Sequence, residues 1–365
     1  MNLRQGRIGK QEAAAMAMIA CISCGVFAVD AHTTYAAGDS AYVSSALAAM
    51  LSLLMFYLVA EAMRRKHCET LSQLYRLAFG RVLSVPMAFI SMLALLYAAA
   101  MPLAQLLLIM NHYVYVHAPT PHIALYLLPC LLILAWMGLE IIGRTAKLLV
   151  GIILISFLVA YIIAIPAYEP FRLYPLLGNG LAETLRRSAT GTVRFFPALL
   201  CLLICGRGVH GVENAASGAV AASVGGGLVA SVTQLFLGMA YPYYMLADMP
   251  APLYRLTMAV SGAKVYLRAD KVLLFFWMLA GMIAGGLFAY AAALLYAGAT
   301  RIRDIRPAVA AVVSVICAVA LMGQLNLPQF IEAADVLINF AWLAALLPPL
   351  LASMIAVLKK EMVSA

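Results

Sequence analysis

Long apolar stretches follow one another along this chain, with only short polar connections between most of them. About 20 apolar residues suffice to cross the hydrocarbon core of a bilayer, and the first stretch alone, residues 13–36, exceeds that length. Charged residues make up 11% of the chain, against about 25% in an average soluble domain. The sequence therefore predicts an all-α, polytopic membrane protein.

Ten transmembrane spans can be drawn from the apolar pattern. They cover residues 12–36, 41–63, 83–114, 123–139, 145–167, 188–205, 215–239, 271–299, 308–325 and 331–358. A basic, amphipathic stretch at residues 68–79 precedes the third span and is typical of an interfacial helix. We expect residues 1–365 to form a single integral membrane domain.

The basic residues indicate the orientation of the spans. With a cytoplasmic N-terminus, most of the 24 Lys and Arg residues fall in inside segments, and the short outside loops hold none. Both termini are then cytoplasmic, which requires an even number of spans. The net charge of +9 is explained by basic residues that keep these segments on the cytoplasmic side and by their attraction to anionic membrane lipid. No nucleic-acid partner is therefore expected.

The first span is interrupted in its middle by Ser23, Cys24 and Gly25. Ser and Gly are poor helix formers, so the helix can unwind there. Unwound backbone is tolerated in a membrane only where protein buries it or where it lines a cavity. The alternative is a plain helix with a packing glycine, since Gly is common in membrane helices.

A second interruption lies five spans later, at Pro197 in the sixth span. Five spans per half invert the second half relative to the first, and matching broken spans in inverted halves point to a central binding site. The sequence thus predicts a five-plus-five inverted repeat with broken helices 1 and 6. The repeats cover about 10–168 and 180–325, and two further helices from the 306–358 region complete the bundle.

The predicted site has little side-chain charge, because the carboxylates lie near span ends. Backbone N–H and C=O groups at the ends of two half-helices can hold the carboxylate and ammonium groups of a zwitterion. Tyr97, a lone hydroxyl in an apolar run, either lines the cavity or bonds a neighbouring helix. Gly281, Gly285 and Gly286 either line the site or allow close helix packing.

Other chemistry finds little support in the residues. The pairs Cys21/Cys24 and Cys201/Cys205 have helical spacing, but no His or further Cys completes a metal site. No nucleophile motif or phosphate-binding loop is present. We therefore expect no enzyme activity, no metal and no cofactor.

Several short strings together resemble the spore germination permease family, the B subunits of nutrient germinant receptors. They are GRI at 6–8, AGDSAY at 37–42, TP at 120–121, GLEIIGR at 138–144 and YPLLGNG at 174–180. Arg268 and Trp277, around the start of the eighth span, extend the likeness into the second half.

The resemblance implies a ten-span fold of the amino acid–polyamine–organocation superfamily. It implies an amino-acid-sized germinant bound at the two broken spans, and assembly with an A-type membrane subunit and a C-type lipoprotein in the spore inner membrane. The implied binding positions are Cys24, Gly25, Val26, Phe196, Pro197, Ala198 and Leu199, with Tyr97 a further candidate.

The chain departs from the family at two places. The family usually has a Pro beyond the first break, which residues 26–30 lack, and it often has Phe-Pro where this chain has His67 and Cys68. The first departure bears on the shape of the outer half of span one and on the ligand. The lead hypothesis is a nutrient-sensing subunit; a secondary transporter of amino acids or similar solutes, and a scaffold subunit without a ligand, are the alternatives.

Overall fold

The structure is a computed structural model that describes residues 6–27, 40–176, 178–249, 251–262, 269–302, 304–322 and 344–359. These residues form helices joined by turns, and none of them lies in a β-strand. The helices are α1 (Lys10–Ile22), α2 (Ala41–Arg65), α3 (Leu71–Ile109), α4 (Thr120–Met137), α5 (Leu139–Ile163), α6 (Leu181–Ile204), α7 (Val212–Ala240), α8 (Tyr243–Asp248), α9 (Pro252–Gly262), α10 (Ala269–Thr300), α11 (Arg306–Met322) and α12 (Ala344–Lys359). Two π-helical segments, Ser23–Phe27 and Met110–Val114, extend α1 and α3.

The predicted all-α polytopic membrane fold is confirmed. Eight of the described helices, namely α1 to α7 and α10, are long and apolar enough to cross a membrane, and α11 and α12 are shorter apolar helices. These helices lie in the positions of the ten predicted spans. The end of the first span and the beginning of the tenth, residues 28–36 and 331–343, fall outside the described residues.

Gly80 separates the interfacial helix from the third span. Its φ of 75° and ψ of −169° interrupt α3, so the segment before it is a helix of its own direction. Only glycine adopts such a backbone without strain. Leu71, Leu74 and Ala78 of the interfacial helix are buried and Arg76 is exposed, as the amphipathic pattern predicts, but Leu77 is exposed as well.

Gly138 alone connects α4 to α5, with a φ of 90°. The sequence placed residues 140–144 in a loop between the fourth and fifth spans, and this was wrong. A glycine at positive φ turns the chain within one residue, so α5 begins at Leu139. Glu140 and Arg144 are helical and form an i,i+4 ion pair of 2.5 Å.

Four helix pairs make the most extensive contacts in the bundle. The most extensive contacts join α1 with α7, α2 with α6, α2 with α7, and α3 with α10. These are spans 1 and 7, 2 and 6, 2 and 7, and 3 and 8. If each span is replaced by the span five places before or after it in the chain, the same four pairs are obtained. This is the symmetry that a repeat of five spans predicts.

Two adjacent glycines of α7 allow its close packing on two helices. A Cβ at Gly226 would collide with Cys21 of α1, and a Cβ at Gly227 would lie 2.5 Å from the Cβ of Ala49 in α2. Small residues at membrane helix interfaces let backbones approach closely. This pair of glycines therefore holds α7 against both α1 and α2.

Contacts of the N-terminal segment close one end of the helix bundle. The Ile8 N–H donates to the carbonyl of Gly208, in the turn after α6, at 2.8 Å. The side chain of Arg207 in the same turn pairs with Glu69, before the interfacial helix, at 2.8 Å. The start of the first span is thereby joined to the end of the sixth span and to the interfacial helix.

Candidate functional site

The first span changes from an α-helix to a π-helix at Ser23, the residue at which the sequence predicts the break. The π-helical segment comprises Ser23–Phe27; Ser23, Cys24 and Gly25 are buried, and Val26 is half-buried. π-Helical turns are rare and occur frequently at functional sites. At the predicted break the helix changes type but does not unwind, since the backbone remains helical through Phe27; residues 28–39 lie outside the described residues.

Gly25 packs tightly against the sixth and seventh spans. A Cβ on Gly25 would lie 2.8 Å from Cε1 of Phe195 in α6 and 2.7 Å from the Cβ of Ala230 in α7. Real Cβ atoms essentially never come within 3.0 Å of another heavy atom. Gly25 is therefore a packing glycine and part of an irregular helix at once.

Cys24 joins the π-helical segment to the third span. Its thiol donates to the carbonyl oxygen of Ala98 in α3, with Sγ and O 3.5 Å apart. Pro102 lies four residues after Ala98 and has no N–H, so it cannot donate the helical hydrogen bond to that carbonyl. Tyr97, the half-buried neighbour of Ala98, is thereby placed on the helix that contacts the segment.

The sixth span does not break at Pro197, contrary to the prediction. Helix α6 is continuous from Leu181 to Ile204 with Pro197 inside it. A proline removes a single helical hydrogen bond, here the one to the carbonyl of Val193. Neighbouring helices bury this region almost completely, and the helix persists. Phe196, Pro197, Ala198 and Leu199 are all buried.

Gly285 belongs to a packing surface rather than to the region around Ser23. A Cβ at Gly285 would lie 2.9 Å from Cδ1 of Leu131 in α4, and one at Gly281 would collide with Leu106 of α3. The structure therefore brings Ser23, Cys24 and Gly25 together with the third and sixth spans, and places Gly285 against the fourth.

Aromatic rings pack beside the π-helical segment. The ring of Phe27 lies 5.9 Å from that of Trp277 in α10 and 6.2 Å from that of Phe157 in α5. Trp277 and Phe157 are stacked at 5.5 Å. These three rings form one apolar wall, built from the first, fifth and eighth spans.

The aromatic contacts continue from this wall towards one end of the bundle. Phe157 contacts Tyr161, which contacts Phe236 of α7, and Phe236 stacks on Tyr168 at 4.7 Å. Tyr168 lies outside the spans, and burial raises its pKa to about 12. Its hydroxyl is therefore a neutral donor, and it donates to the carbonyl of Tyr161 at 3.0 Å.

Two buried polar atoms at this place have no hydrogen-bond partner. They are Oγ of Ser23 and Nε1 of Trp277, and they are the unpartnered buried side-chain N and O atoms among the described residues. Both side chains are fully buried. Leaving a buried donor unsatisfied costs about 1–3 kcal/mol, so a polar ligand group would be favourable beside either atom.

Arg194 brings positive charge close to the π-helical segment. It is half-buried in α6, next to the Phe195 that packs against the Cβ position of Gly25. It forms no ion pair with the residues that the structure describes. A guanidinium is a bidentate partner for carboxylates, so the region can offer a counter-charge to an anionic group.

Sequence reasoning missed Phe195, Trp277 and Arg194 as site residues. The sequence held a signal for Trp277, because a buried indole N–H needs a hydrogen-bond partner, as does the hydroxyl of Tyr97. Within the described residues, no group of three or more His, Cys, Asp and Glu side chains is arranged to hold a metal ion.

The helices define an integral membrane protein, built from apolar spans around an irregular first helix. The chain belongs to the family described as spore germination protein, whose sequence profile matches residues 7–319. The family to which the short strings pointed is thus confirmed.

Comparison with solved structures finds similarity to the manganese transporter of Eremococcus coleocola. Crystal structures of two of its mutants match with 13% and 12% sequence identity, each over 96% of this chain and 76% of the transporter chain, with a TM-score of 0.45. No curated protein sequence matches the chain.

Proposed function

We propose that this chain is the membrane subunit of a spore nutrient germinant receptor, and that it senses an amino acid to trigger germination. The observation that carries this proposal is the unpartnered Oγ of Ser23, which lies inside the π-helical segment at full burial. The membership of the chain in the spore germination family supports the biological role.

The chemistry around Ser23 suits the carboxylate group of a small amino acid. The hydroxyl of Ser23 and the indole N–H of Trp277 offer donors, and Arg194 offers a counter-charge to a carboxylate. The rings of Phe27, Phe157 and Trp277 would receive an apolar side chain. The binding positions proposed on the first span are therefore Ser23 to Val26, flanked by Tyr97 and by the Phe196 to Leu199 stretch of α6.

Binding would act by favouring one of two conformations of a membrane complex. We place this complex in the spore inner membrane, with both termini of the chain cytoplasmic, and with an A-type membrane subunit and a C-type lipoprotein as partners. The family supports the assembly, and the distribution of Lys and Arg supports the orientation.

The test is ligand-dependent stabilisation of the purified full-length chain. Its melting temperature is measured with each amino acid of a panel, for the wild type, for Ser23→Ala and for the control Ser314→Ala. Ser314 lies on an exposed face of α11 and bonds its own helix. A ligand at 100 times its Kd stabilises a protein by about 2.7 kcal/mol.

We expect at least one amino acid to raise the melting temperature of the wild type and of Ser314→Ala, and to have a smaller effect on Ser23→Ala. If no amino acid stabilises the wild type, the sensing proposal fails and a scaffold subunit is favoured. Counterflow of a labelled amino acid in proteoliposomes would favour the alternative, a secondary transporter.

A further inference from the structure

A crevice opens between three helices at the end of the bundle away from the N-terminus. The end of α3 with its π-helical extension, the start of α4 and the start of α10 enclose about 690 Å³. Such a volume is within the usual range of sites for small molecules, about 300–1,000 Å³. We call it the α3–α4–α10 crevice; it does not include Ser23 or Trp277.

The floor of the α3–α4–α10 crevice is apolar. Ile123 and Leu127 of α4 and Leu274 of α10 line it and are more than 90% buried. Phe275, which also lines it, is 56% exposed. The crevice is therefore an apolar slot with an open side, formed at the ends of membrane-spanning helices.

The mouth of the crevice carries polar and basic groups. Lys271 in the first turn of α10 and His122 in the first turn of α4 line it, and both are exposed. Tyr115 and Tyr126 add two exposed rings with hydroxyl groups. Tyrosines are enriched at the level of lipid headgroups, so this mouth has the composition of a membrane–water boundary.

The ammonium group of Lys271 is available to a ligand. Lys271 forms no ion pair with a described residue. The adjacent Asp270 is fully buried and accepts a hydrogen bond from the hydroxyl of Tyr254 in α9 at 3.2 Å. The carboxylate of Asp270 is therefore bonded to α9. The crevice combines an apolar floor with the ammonium group of Lys271 at its edge.

We propose that the α3–α4–α10 crevice binds an anionic phospholipid, with one acyl chain along its floor and the phosphate at Lys271. An acyl chain matches the apolar floor, and a lysine ammonium binds a phosphate group as a point charge. The commitment to an anionic lipid follows from the charge at the mouth, because a zwitterionic lipid with the same chains gains less from Lys271.

The test uses photoactivatable phosphatidylglycerol and phosphatidylcholine, each with a diazirine in one acyl chain, incorporated in vesicles that contain the full-length chain. The labelled residues are mapped by mass spectrometry in the wild type, in Lys271→Gln and in Lys66→Gln. Lys66 is the matched control, because it follows the last residue of α2 and does not line the crevice. A fourth variant, Ala118→Trp, fills the crevice from its wall.

We expect phosphatidylglycerol to label the crevice about fivefold more than phosphatidylcholine, the preference that one lysine near an anionic lipid surface provides. Lys271→Gln should lose this preference, Lys66→Gln should keep it, and Ala118→Trp should reduce labelling by both lipids. Each variant is first shown to have the wild-type melting temperature within 3 °C.

Three outcomes would overturn the proposal. The two lipids could label the crevice equally, Lys271→Gln could keep the wild-type preference, or the label could be found only on other faces. Protection of the crevice from both lipids when a partner subunit is present would assign the crevice to a protein contact instead. Should Lys271→Gln fail to fold, Lys271→Ala, which also removes the charge and must lose the preference, decides.

Discussion

The thiol of Cys24 lies 3.5 Å from the carbonyl oxygen of Ala98, and Pro102 leaves that same carbonyl without its helical donor. A proline in the third span thus creates an acceptor, and a cysteine in the irregular part of the first span occupies it. The two features lie far apart in the sequence, and only the fold makes one the complement of the other.

This relationship predicts an energetic coupling between Cys24 and Pro102. Cys24→Ala should destabilise the protein by about 1 kcal/mol, the net contribution of one intramolecular hydrogen bond. In the background of Pro102→Ala, which restores an N–H for the carbonyl of Ala98, Cys24→Ala should cost less. Unfolding in detergent measures the four states of this double-mutant cycle. Additive effects of the two substitutions would contradict the arrangement.

Gly25→Ala should destabilise the protein by about 1–3 kcal/mol, the usual cost of overpacking a core. The new methyl group would meet Phe195 and Ala230. Thermal unfolding of purified protein gives the measurement, and Ala230→Gly should recover part of the loss by removing one of the contacts. Gly151→Ala is the matched control, since Gly151 lies on α5 with nothing within 4 Å of its Cβ position. The control should be neutral or stabilising.

Ser23→Ala should separate binding from stability. Its hydroxyl is buried without a partner, and removing an unsatisfied buried hydroxyl should leave stability unchanged or raise it by about 1 kcal/mol. Trp277→Phe removes the second unpartnered donor, and its effect on stability can be compared with that of Ser23→Ala. Melting temperatures without ligand and germination of spores that carry each variant are the two measurements. A large loss of stability in Ser23→Ala would show that the hydroxyl has a structural partner.

Lys359→Gln should loosen the interfacial helix locally. The ammonium of Lys359 donates to the carbonyls of Leu77 at 3.1 Å and Ala78 at 2.8 Å, at the end of that helix. Cations at helix C-termini stabilise by about 0.3–1 kcal/mol. Hydrogen exchange of residues 71–79 should become up to about fivefold faster, which is the same energy expressed as a ratio. Exchange in α5, which Lys359 does not contact, serves as the internal reference.

Much of the fold could be predicted because hydropathy is a local property. The apolar runs give the spans, and the amphipathic pattern before Gly80 gives the interfacial helix. The irregularity at Ser23 could also be predicted from residue types within one stretch. These features depend on neighbours in the sequence, and each is present in the structure.

The remaining features depend on contacts between distant segments. The continuity of α6 through Pro197 follows from burial by other helices, which the sequence does not reveal. The same holds for the contact of Gly25 with Phe195 and for the lack of a partner at Trp277. The one-residue turn at Gly138 was missed for another reason, since charges at residues 140–144 resemble a loop while forming an ion pair on a helix.

The π-helical segment Ser23–Phe27 has a consequence for how a signal could travel along the first span. A π turn holds one residue more than an α turn, and each residue of an α-helix advances it by about 100°. Returning this segment to α geometry would rotate its last residue, Phe27, by about that angle relative to Lys10–Ile22. Because Ile8 is bonded to the turn after α6, Lys10–Ile22 would keep its orientation. A one-residue change in helical register would then move the ring of Phe27 relative to Trp277 and Phe157.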